Sequence, residues 1–469
     1  MNLRNVTLFA LGPIGAAALG LITVPVLAWA FSMEDIGRLN VLNVTVSLAL
    51  LICMLGLDQA YVRHYHETKD KPALLKACLW PGLILLSILA ICCGVFAKDI
   101  SLLMYGEEAG RYFWITLYCV ITAFISRFLS LILRMQERGL AYSMSQIIPK
   151  LVMLVAVGII IFSGIAREFL TLQLAFLAST STVLIVYAWN TRNEWQSAFR
   201  SRPDSESGKQ LLNFGVPLVF SGVIYWGLMA TSTVTLRMYA PLSELGLYSV
   251  TASFAAAASI FQSVFSVIWA PTVYRWHAES ADMGKVHAIS KQVLMAICVI
   301  CALCGIFSWI TDYLLPQGYA SVKYLLLCAL IAPLMYTLSE VTCVGIGITK
   351  RTGLTIWITL AAFVVNVLLS IKLVPLFGAA GAVVSNAIAY VVFFIMRTEV
   401  SSFIWRSFPR AKIYFFVVLL LFLTVVTLLS PEYGTYTYVV IWLCFIPLVG
   451  VFFRKEAYEL LHTIKLTRS

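Results

Sequence analysis

Charged residues are scarce in this 469-residue chain: Asp, Glu, Lys and Arg together make up 12%, against 61% hydrophobic residues. Soluble globular domains carry about 25% charged residues. A core of ordinary size cannot bury so many apolar side chains, and a soluble surface does not display them in large patches. The composition therefore excludes a soluble protein and predicts one that lies largely within a membrane.

Long polar segments are also missing. The longest predicted loop covers roughly 190–210, which is too short for a separate soluble domain. The sequence contains no GxxxxGK[ST] phosphate loop, so it lacks the motif with which a P-loop protein would hydrolyse ATP. The CxxCxxC spacing of Cys298, Cys301 and Cys304 resembles an iron–sulfur fragment, but no fourth ligand is near it. We interpret these cysteines as small packing residues and expect no cofactor.

Apolar runs long enough to cross a bilayer, at least about 18 residues, follow one another along the whole chain. The first run is longer than the core of a cleaved signal peptide and is followed by others, so we interpret it as a membrane helix. The sequence predicts an all-α polytopic membrane protein with 14 transmembrane helices. The predicted spans are 6–31, 41–62, 77–97, 112–135, 146–163, 169–189, 211–237, 247–274, 287–311, 321–348, 353–374, 379–397, 411–430 and 435–453.

Basic residues outnumber acidic ones, 33 against 22, and give a net charge of +11. With the N-terminus inside, 25 of the 33 basic residues fall in predicted cytoplasmic segments. Lys150, at the predicted start of helix five, and Arg397, at the predicted end of helix twelve, are counted among them. This bias follows the positive-inside rule and predicts two cytoplasmic termini. The charge thus indicates membrane topology and attraction to anionic lipid, and we expect no nucleic-acid partner.

The two halves of the chain repeat one pattern of helices and loops. The matched positions are Pro13 and Pro217, Gly37 and Gly246, and Arg63 and Arg275. The offset spans an even number of crossings, so both copies have the same orientation, and such repeats favour two lobes that bind substrate between them and alternate access by rocking. The predicted domains are an N-terminal lobe at 1–190, a cytoplasmic loop at 191–210, a C-terminal lobe at 211–400, and two extra helices with a cytoplasmic tail at 401–469.

Two charged residues interrupt predicted spans near the middle of the bilayer, where a charge is unfavourable by at least about 2.5 kcal/mol. Arg127 lies on helix four, in AFISRFLSLILRMQERG, and Glu340 lies on helix ten, in YTLSEVTCVGIGITK. Their separation of 213 residues continues the offset of the repeat. Opposite charges thus occupy equivalent positions in the two halves. The pattern indicates a functional site, and the alternative is a salt bridge that only holds the lobes together.

Further polar residues accompany this pair. Ser130, Arg134 and Arg138 follow Arg127 at intervals that predict a polar ladder on one helical face, leading to the cytoplasm. Arg134 also fits an arginine that reaches the headgroups from a helix end. The other charged candidates are Asp58 and Arg63 near the inner end of helix two, and Arg237 at the outer end of helix seven, where it also fits an interfacial anchor. Candidates for sugar contact are Asn43, Tyr225, Trp226, Gln262 and Trp269.

Three segments resemble a known family of transporters. They are GLDQAYVRHYHE, LILRMQERG and GIGITKRTGLTIWITLAAFVVNVLLSIKLVPLFGAAGAVVSNAIAY, and the last includes a short outer turn through Pro375, Gly378 and Gly381. The chain resembles polysaccharide transporters of the multidrug/oligosaccharidyl-lipid/polysaccharide exporter superfamily, and within them the Wzx-type O-antigen flippases. The resemblance spans essentially the whole chain and implies a MATE-like fold of two six-helix lobes. Glu340 has no role assigned by it.

This resemblance implies a flippase of the bacterial inner membrane that moves an undecaprenyl-pyrophosphate-linked oligosaccharide, such as an O-antigen unit, alongside other polysaccharide assembly proteins. Cationic cavity residues are a recurring functional feature of the family, so a set of arginines is expected to bind the pyrophosphate. That set is Arg127, Arg134, Arg138, Arg63 and Arg237, and Glu340 and Asp58 are expected to couple or gate transport. Whether a proton or sodium gradient drives transport stays open.

Two other functions compete with lipid-linked oligosaccharide flipping. An ion-coupled multidrug antiporter of the same fold predicts acidic residues in the membrane, whereas Arg127 and its ladder favour an anion. A membrane polysaccharide polymerase or ligase would present catalytic groups on a sizeable outer loop, and the predicted outer loops are short. We therefore expect a transporter and not an enzyme.

Overall fold

The structure is a computed structural model that describes residues 3–201, 205–279, 284–407, 409–433 and 436–458. All regular structure within these ranges is helical, and no strand occurs among them. Residues 202–204 of the predicted inter-lobe loop and residues 459–469 of the predicted tail lie outside the described residues. The predicted all-α class is therefore confirmed.

The chain divides into two compact units, Met1–Arg237 and Met238–Ser469, with the boundary near the end of α10. The helices of the first unit are α1 (Leu3–Ala30), α2 (Met33–Cys53), α3 (Leu57–His64), α4 (Lys71–Val95), α5 (Ala97–Tyr105), α6 (Gly110–Met135), α7 (Gly139–Phe162), α8 (Phe169–Asn190), α9 (Arg192–Arg200) and α10 (Ser205–Tyr239). Those of the second are α11 (Leu242–Ala255), α12 (Ala258–Ala278), α13 (Gly284–Phe307), α14 (Thr311–Leu314), α15 (Val322–Thr342), α16 (Val344–Ile348), α17 (Leu354–Ile404), α18 (Ala411–Leu429) and α19 (Thr437–Phe452).

Ten of the described helical segments are long and apolar enough to cross a membrane, and Ile14–Ala30 and Thr437–Phe452 are shorter apolar helices. The chain is thus a multi-pass membrane protein. The predicted total of 14 spans stays a prediction, because helix breaks and fusions alter the count. The predicted eighth span is divided into α11 and α12, and α17 runs for 51 residues through two predicted spans.

Glycine determines the break between α2 and α3 and the kink within α17. Gly56 lies between α2 and α3 with φ of 68°, and an added Cβ would lie 2.1 Å from the carbonyl oxygen of Gly215. Gly378 has φ of 53° within α17, where the sequence predicted an outer turn, and Glu244 accepts a hydrogen bond from the next amide, Ala379 N, at 2.8 Å. Only glycine adopts such backbone angles without steric cost. The first break turns α3 toward α4 and α6.

The most buried apolar spans of the two units are α6 and α15. Their apolar windows are 61% and 78% buried, higher fractions than those of the other candidate spans described in each unit. In the first unit α6 packs against α2, α3, α5 and α8. In the second, α15 packs against α11, α12, α13, α17 and α18. The two helices predicted to carry the functional charges are therefore the central helices of their units.

Three basic residues lie in different places from those predicted. Lys150 was assigned to a cytoplasmic segment, but α7 begins at Gly139 and places Lys150 in the middle of the helix. Arg397 was assigned to a cytoplasmic end, but α17 continues for seven residues beyond it, to Ile404, so Arg397 lies inside the helix. Arg138 was placed on the face of Arg127, but α6 ends at Met135. The chain turns there because Glu137 adopts a positive φ of 56°.

Candidate functional site

Arg127 forms an ion pair with Asp58 inside the first unit. Its Nη2 donates to Asp58 Oδ2 at 3.1 Å, and Asp58 lies in the first turn of α3, just after the Gly56 break. The side chains are 46% and 13% exposed, so the guanidinium is open while the carboxylate is largely covered. A guanidinium carries five N–H donors, and this contact uses one of them. The pair therefore leaves most of the donors of Arg127 available for another anion.

The open side of Arg127 is not the apolar outer side of α6. Val120, Phe124 and Leu131 lie seven and three residues before it and four residues after it, on the same helical face, and all are buried. Trp114 and Tyr118, exposed at 53% and 47%, project from the opposite side of the helix. The charge thus points away from the apolar side of the helix that would face lipid.

The predicted ladder below Arg127 is only partly present. Ser130 is buried and donates to the carbonyl of Arg127 at 2.6 Å. Arg134 is exposed in the last turn of α6. Arg138 lies in the turn after α6, where its Nη1 donates to Asn190 O at 2.7 Å and its Nη2 lies 3.6 Å from Glu194. Arg138 therefore caps the end of α8, and Arg134 is the exposed cation on α6 below Arg127.

The other two predicted arginines lie apart from this pair. Arg63 stacks over the ring of Phe214, with 4.9 Å between the guanidinium carbon and the ring centroid. Arg237 donates to the carbonyls of Met104 and Leu102 at 2.7 and 2.9 Å, so it caps the C-terminal end of α5. Such a contact satisfies carbonyls that lack a partner within the helix. Their assignment to pyrophosphate binding stays a prediction.

Glu340 forms an ion pair with Arg397 inside the second unit. Arg397 Nη1 donates to Glu340 Oε1 and to Ser339 Oγ, both at 2.8 Å. The side chains are 11% exposed for Arg397 and 19% exposed for Glu340. The rings of Tyr336 and Phe393 also cover the guanidinium, at 5.6 and 5.1 Å. This second pair is enclosed by its own unit, whereas the pair of Arg127 is open.

Four of the residues predicted to contact sugar make hydrogen bonds or are exposed within their own units. Asn43 donates to Leu39 O at 2.9 Å, and Trp226 donates to Ser47 Oγ at 2.9 Å. Tyr225 is 41% exposed. Trp269 is 5% exposed and donates to the carbonyl of Glu340 at 3.1 Å. Trp269 therefore supports the Glu340 backbone in this structure, and the sugar role of the set stays a prediction.

Gln262, the last of this set, is half-buried on α12.

The structure also adds two intramembrane cations that the sequence assigned to loops, Arg397 and Lys150. The signal for Arg397 was the stretch TEVSSFI after it, which contains neither Gly nor Pro and continues the helix to Ile404. The signal for Lys150 was the run that follows Gly139, up to Phe162, in which Pro149 and Gly158 are the only proline and glycine.

Similarity to solved structures shows the fold of this protein. The chain superimposes on the lipid II flippase MurJ in an inward closed conformation with a TM-score of 0.70 and 14% identity, covering 96% of this chain and 99% of that one. A multidrug resistance MATE family transporter of the MOP superfamily in an inward-facing conformation gives a TM-score of 0.60 and 14% identity, covering 83% and 95%. The chain therefore shares its fold with this flippase and this transporter.

Residues 2–277, more than half of the chain, match the model of the family described as polysaccharide biosynthesis protein. The chain therefore belongs to the polysaccharide biosynthesis protein family. It is also 29% identical over 142 residues to the succinoglycan biosynthesis transport protein ExoT of Rhizobium meliloti (strain 1021), a match covering 30% of this chain and 26% of that protein. The chain thus spans about a quarter of that relative. The relatives and neighbours that these comparisons name are transporters or flippases.

Proposed function

We propose that this protein flips an undecaprenyl-pyrophosphate-linked oligosaccharide, an O-antigen or related unit, from the cytoplasmic to the periplasmic leaflet of the bacterial inner membrane. The observation that carries the proposal is the exposed guanidinium of Arg127 on the inward face of a buried membrane helix. Membership of a polysaccharide biosynthesis family and a fold shared with a lipid II flippase support it. Both termini are proposed to be cytoplasmic, as the positive-inside rule predicts.

The chemistry of the headgroup accounts for an arginine at this position. A diphosphate presents several acceptor oxygens, and a planar guanidinium donates to such a group through two parallel N–H bonds. Asp58 holds one nitrogen of Arg127 and so orients the rest of the guanidinium. In the proposed cycle the diphosphate binds the free N–H groups, competes with Asp58 for Nη2, and leaves Arg127 paired with Asp58 after release. Arg134 provides the approach from the cytoplasm.

The multidrug antiporter is the weaker alternative. It needs an acidic residue that is free to bind a cationic drug. Asp58 and Glu340, the acidic candidates of the sequence, are each paired with an arginine of their own unit. The fold is shared by both functions and does not separate them. The exposed member of the open pair is the guanidinium and the covered member is the carboxylate, which favours an anionic substrate.

The test is a flipping assay in liposomes that contain purified protein and a fluorescent undecaprenyl-pyrophosphate oligosaccharide, run with no gradient, a proton gradient or a sodium gradient. We expect Arg127→Ala to reduce the rate about 10- to 100-fold, the loss expected for about 1.5–3 kcal/mol of charged hydrogen bonding. Arg127→Lys should retain part of the activity, because lysine keeps the positive charge but lacks the two parallel N–H donors of the guanidinium.

The matched control is Arg192→Ala, which removes an arginine stacked on Trp189 in the same unit. A normal rate for Arg127→Ala would refute the placement of the diphosphate at this arginine. A wild-type protein that flips no lipid-linked saccharide but expels cationic drugs under a gradient would refute the function itself. Dependence of the wild-type rate on one of the two gradients would identify the coupling ion.

A further inference from the structure

Lys150 is a charged residue at the midpoint of a membrane helix. The helix α7 runs from Gly139 to Phe162, and Lys150 is its twelfth residue of 24. The turn between Met135 and Gly139 joins α6 to α7, so depth in both helices is measured from the same level. At 1.5 Å per residue, Arg127 lies about 12 Å from that turn and Lys150 about 16 Å. Lys150 is therefore at least as deep as Arg127.

The side chain of Lys150 is exposed, although its helical face is an inner one. Ser143 and Val157 lie two turns before and after it on that face and are 1% and 0% exposed. The lipid-like stripe of α7 consists of Leu151, Val155 and Ile159, exposed at 42%, 60% and 55%, and it lies roughly 100–180° around the helix. Lys150 thus points into an opening on the packed side of α7 and not toward acyl chains.

No carboxylate is available to neutralise this ammonium from the helices around it. α7 packs against α1, α8 and α6. Gly12 of α1 lies against Ser143, on the face of α7 that also carries Lys150. None of α1, α6, α7 and α8 contains an Asp or Glu. Within the described part of the chain, Lys150 makes no hydrogen bond or ion pair. Its positive charge is therefore uncompensated within this group of helices.

The ammonium of Lys150 adds a positive charge to the first unit that no carboxylate of the neighbouring helices offsets. Arg127 and Asp58 together carry no net charge, so their pair alone attracts a diphosphate weakly over distance. A lone ammonium at membrane depth is unfavourable by about 2.5–3.5 kcal/mol on insertion scales, and such residues occur on ion and substrate paths. An anionic group that passes Lys150 would relieve this cost.

We infer that Lys150 is a second anion-binding residue of the transport path, which contacts the diphosphate of the lipid-linked substrate at a greater depth than Arg127. The inference rests on the proposed function. The phosphate oxygens first meet the guanidinium of Arg127 and then the ammonium of Lys150, a compact charge with three donors that releases a phosphate more readily than a bidentate arginine. A sugar carboxylate has the same chemistry, and the experiment separates the two sources.

The experiment uses Lys150→Cys and Leu151→Cys in a chain whose exposed cysteines, Cys92 and Cys444, are replaced by alanine. A membrane-impermeant cationic thiol reagent is added to proteoliposomes with and without an undecaprenyl-pyrophosphate oligosaccharide that has a neutral sugar. We expect Lys150→Cys to react and to be protected by this substrate at least threefold. Leu151→Cys, on the lipid side, should not react. An unreactive Lys150→Cys would overturn the inference.

Charge rescue then tests the chemistry. Lys150→Cys should lower the flipping rate at least tenfold, attachment of an aminoethylthio group should restore most of it, and a neutral methylthio group should not. Rescue by both groups would show a packing role and overturn the inference. So would a normal rate for Lys150→Gln, or a rate that falls only for substrates with an acidic sugar. If Arg127→Ala abolishes flipping and Lys150→Gln does not, the proposed function stands and this inference fails.

Discussion

Each unit has an ion pair on its most buried apolar helix, yet the arginines of the two pairs differ in exposure and in their surroundings. Arg127 on α6 is 46% exposed and held by one contact. Arg397 holds Glu340 of α15 through a side chain 11% exposed, with Ser339 and two aromatic rings around it. An enclosed pair stabilises one conformation, while an open pair can exchange its partner for a ligand. The comparison indicates that the enclosed pair of the second unit is suited to stabilisation and the open pair of the first unit to ligand binding.

The largest expected effect is on the enclosed pair. Arg397→Met should lower the free energy of unfolding by about 3–5 kcal/mol, because it removes a guanidinium enclosed by two rings and leaves the largely covered Glu340 unpaired. Arg127→Met should lower it by less than about 1 kcal/mol, because Arg127 is exposed and Asp58 keeps the hydrogen bond from Gln59 Nε2. Unfolding of the purified variants in detergent measures both. The double variant Arg397→Met/Glu340→Leu should recover most of the loss, and equal effects of the two single variants would remove the distinction between the pairs.

The second effect concerns one helix break in each unit, at Gly56 and at Ala256. Gly56→Ala should destabilise the first unit by about 2–3 kcal/mol, since it adds left-handed strain and a Cβ 2.1 Å from Gly215 O. The matched change in the second unit is Ala256→Gly, at a residue with helical angles between α11 and α12. It should cost only about 0.5–1 kcal/mol. Comparable losses in thermal unfolding would show that the two breaks are built alike.

The breaks at Gly56 and Ala256 also show which features of the fold could be predicted from the sequence and which could not. Apolar periodicity and run length predicted the helices, the repeat predicted the equivalence of Arg127 and Glu340, and a glycine turn was predicted where Gly378 lies. The breaks at Gly56 and at Ala256 were not predicted, because each falls within one continuous apolar run. The pairing of Glu340 with Arg397 was missed for a related reason. Its partner is 57 residues away and was assigned to a loop.

A third effect sharpens the comparison at the open pair. Asp58→Asn removes the competitor of the substrate, so the concentration of lipid-linked oligosaccharide that half-saturates flipping should fall by up to about fivefold. That factor corresponds to an exposed ion pair of up to about 1 kcal/mol. Glu340→Gln should leave this concentration unchanged, because its arginine is enclosed. A rise in the half-saturating concentration for Asp58→Asn would indicate that Asp58 mainly positions Arg127 and does not compete with substrate.

The smallest effect distinguishes two tryptophans, one in each unit. Trp226→Phe removes an N–H donated to Ser47 Oγ, which solvent replaces at a cost of about 0.5–1 kcal/mol. Trp269→Phe removes the donor to the Glu340 carbonyl from a residue 5% exposed, and it should cost about 1–2 kcal/mol. Denaturation midpoints of the two variants provide the measurement. A reversed order would mean that Trp226 is the more enclosed of the two under experimental conditions.

The sequence alone determined that this protein crosses the membrane many times, and it predicted a repeat with Arg127 and Glu340 at equivalent positions in apolar runs. These conclusions follow from composition and spacing, because the bilayer imposes one solvent on every span. Only the tertiary structure determined whether each charged side chain is exposed or enclosed. Whether an arginine is open, as Arg127 is, or enclosed, as Arg397 is, depends on side chains from distant helices. Lys150 lies in the middle of a membrane helix because α7 begins at Gly139, a start that the sequence did not predict.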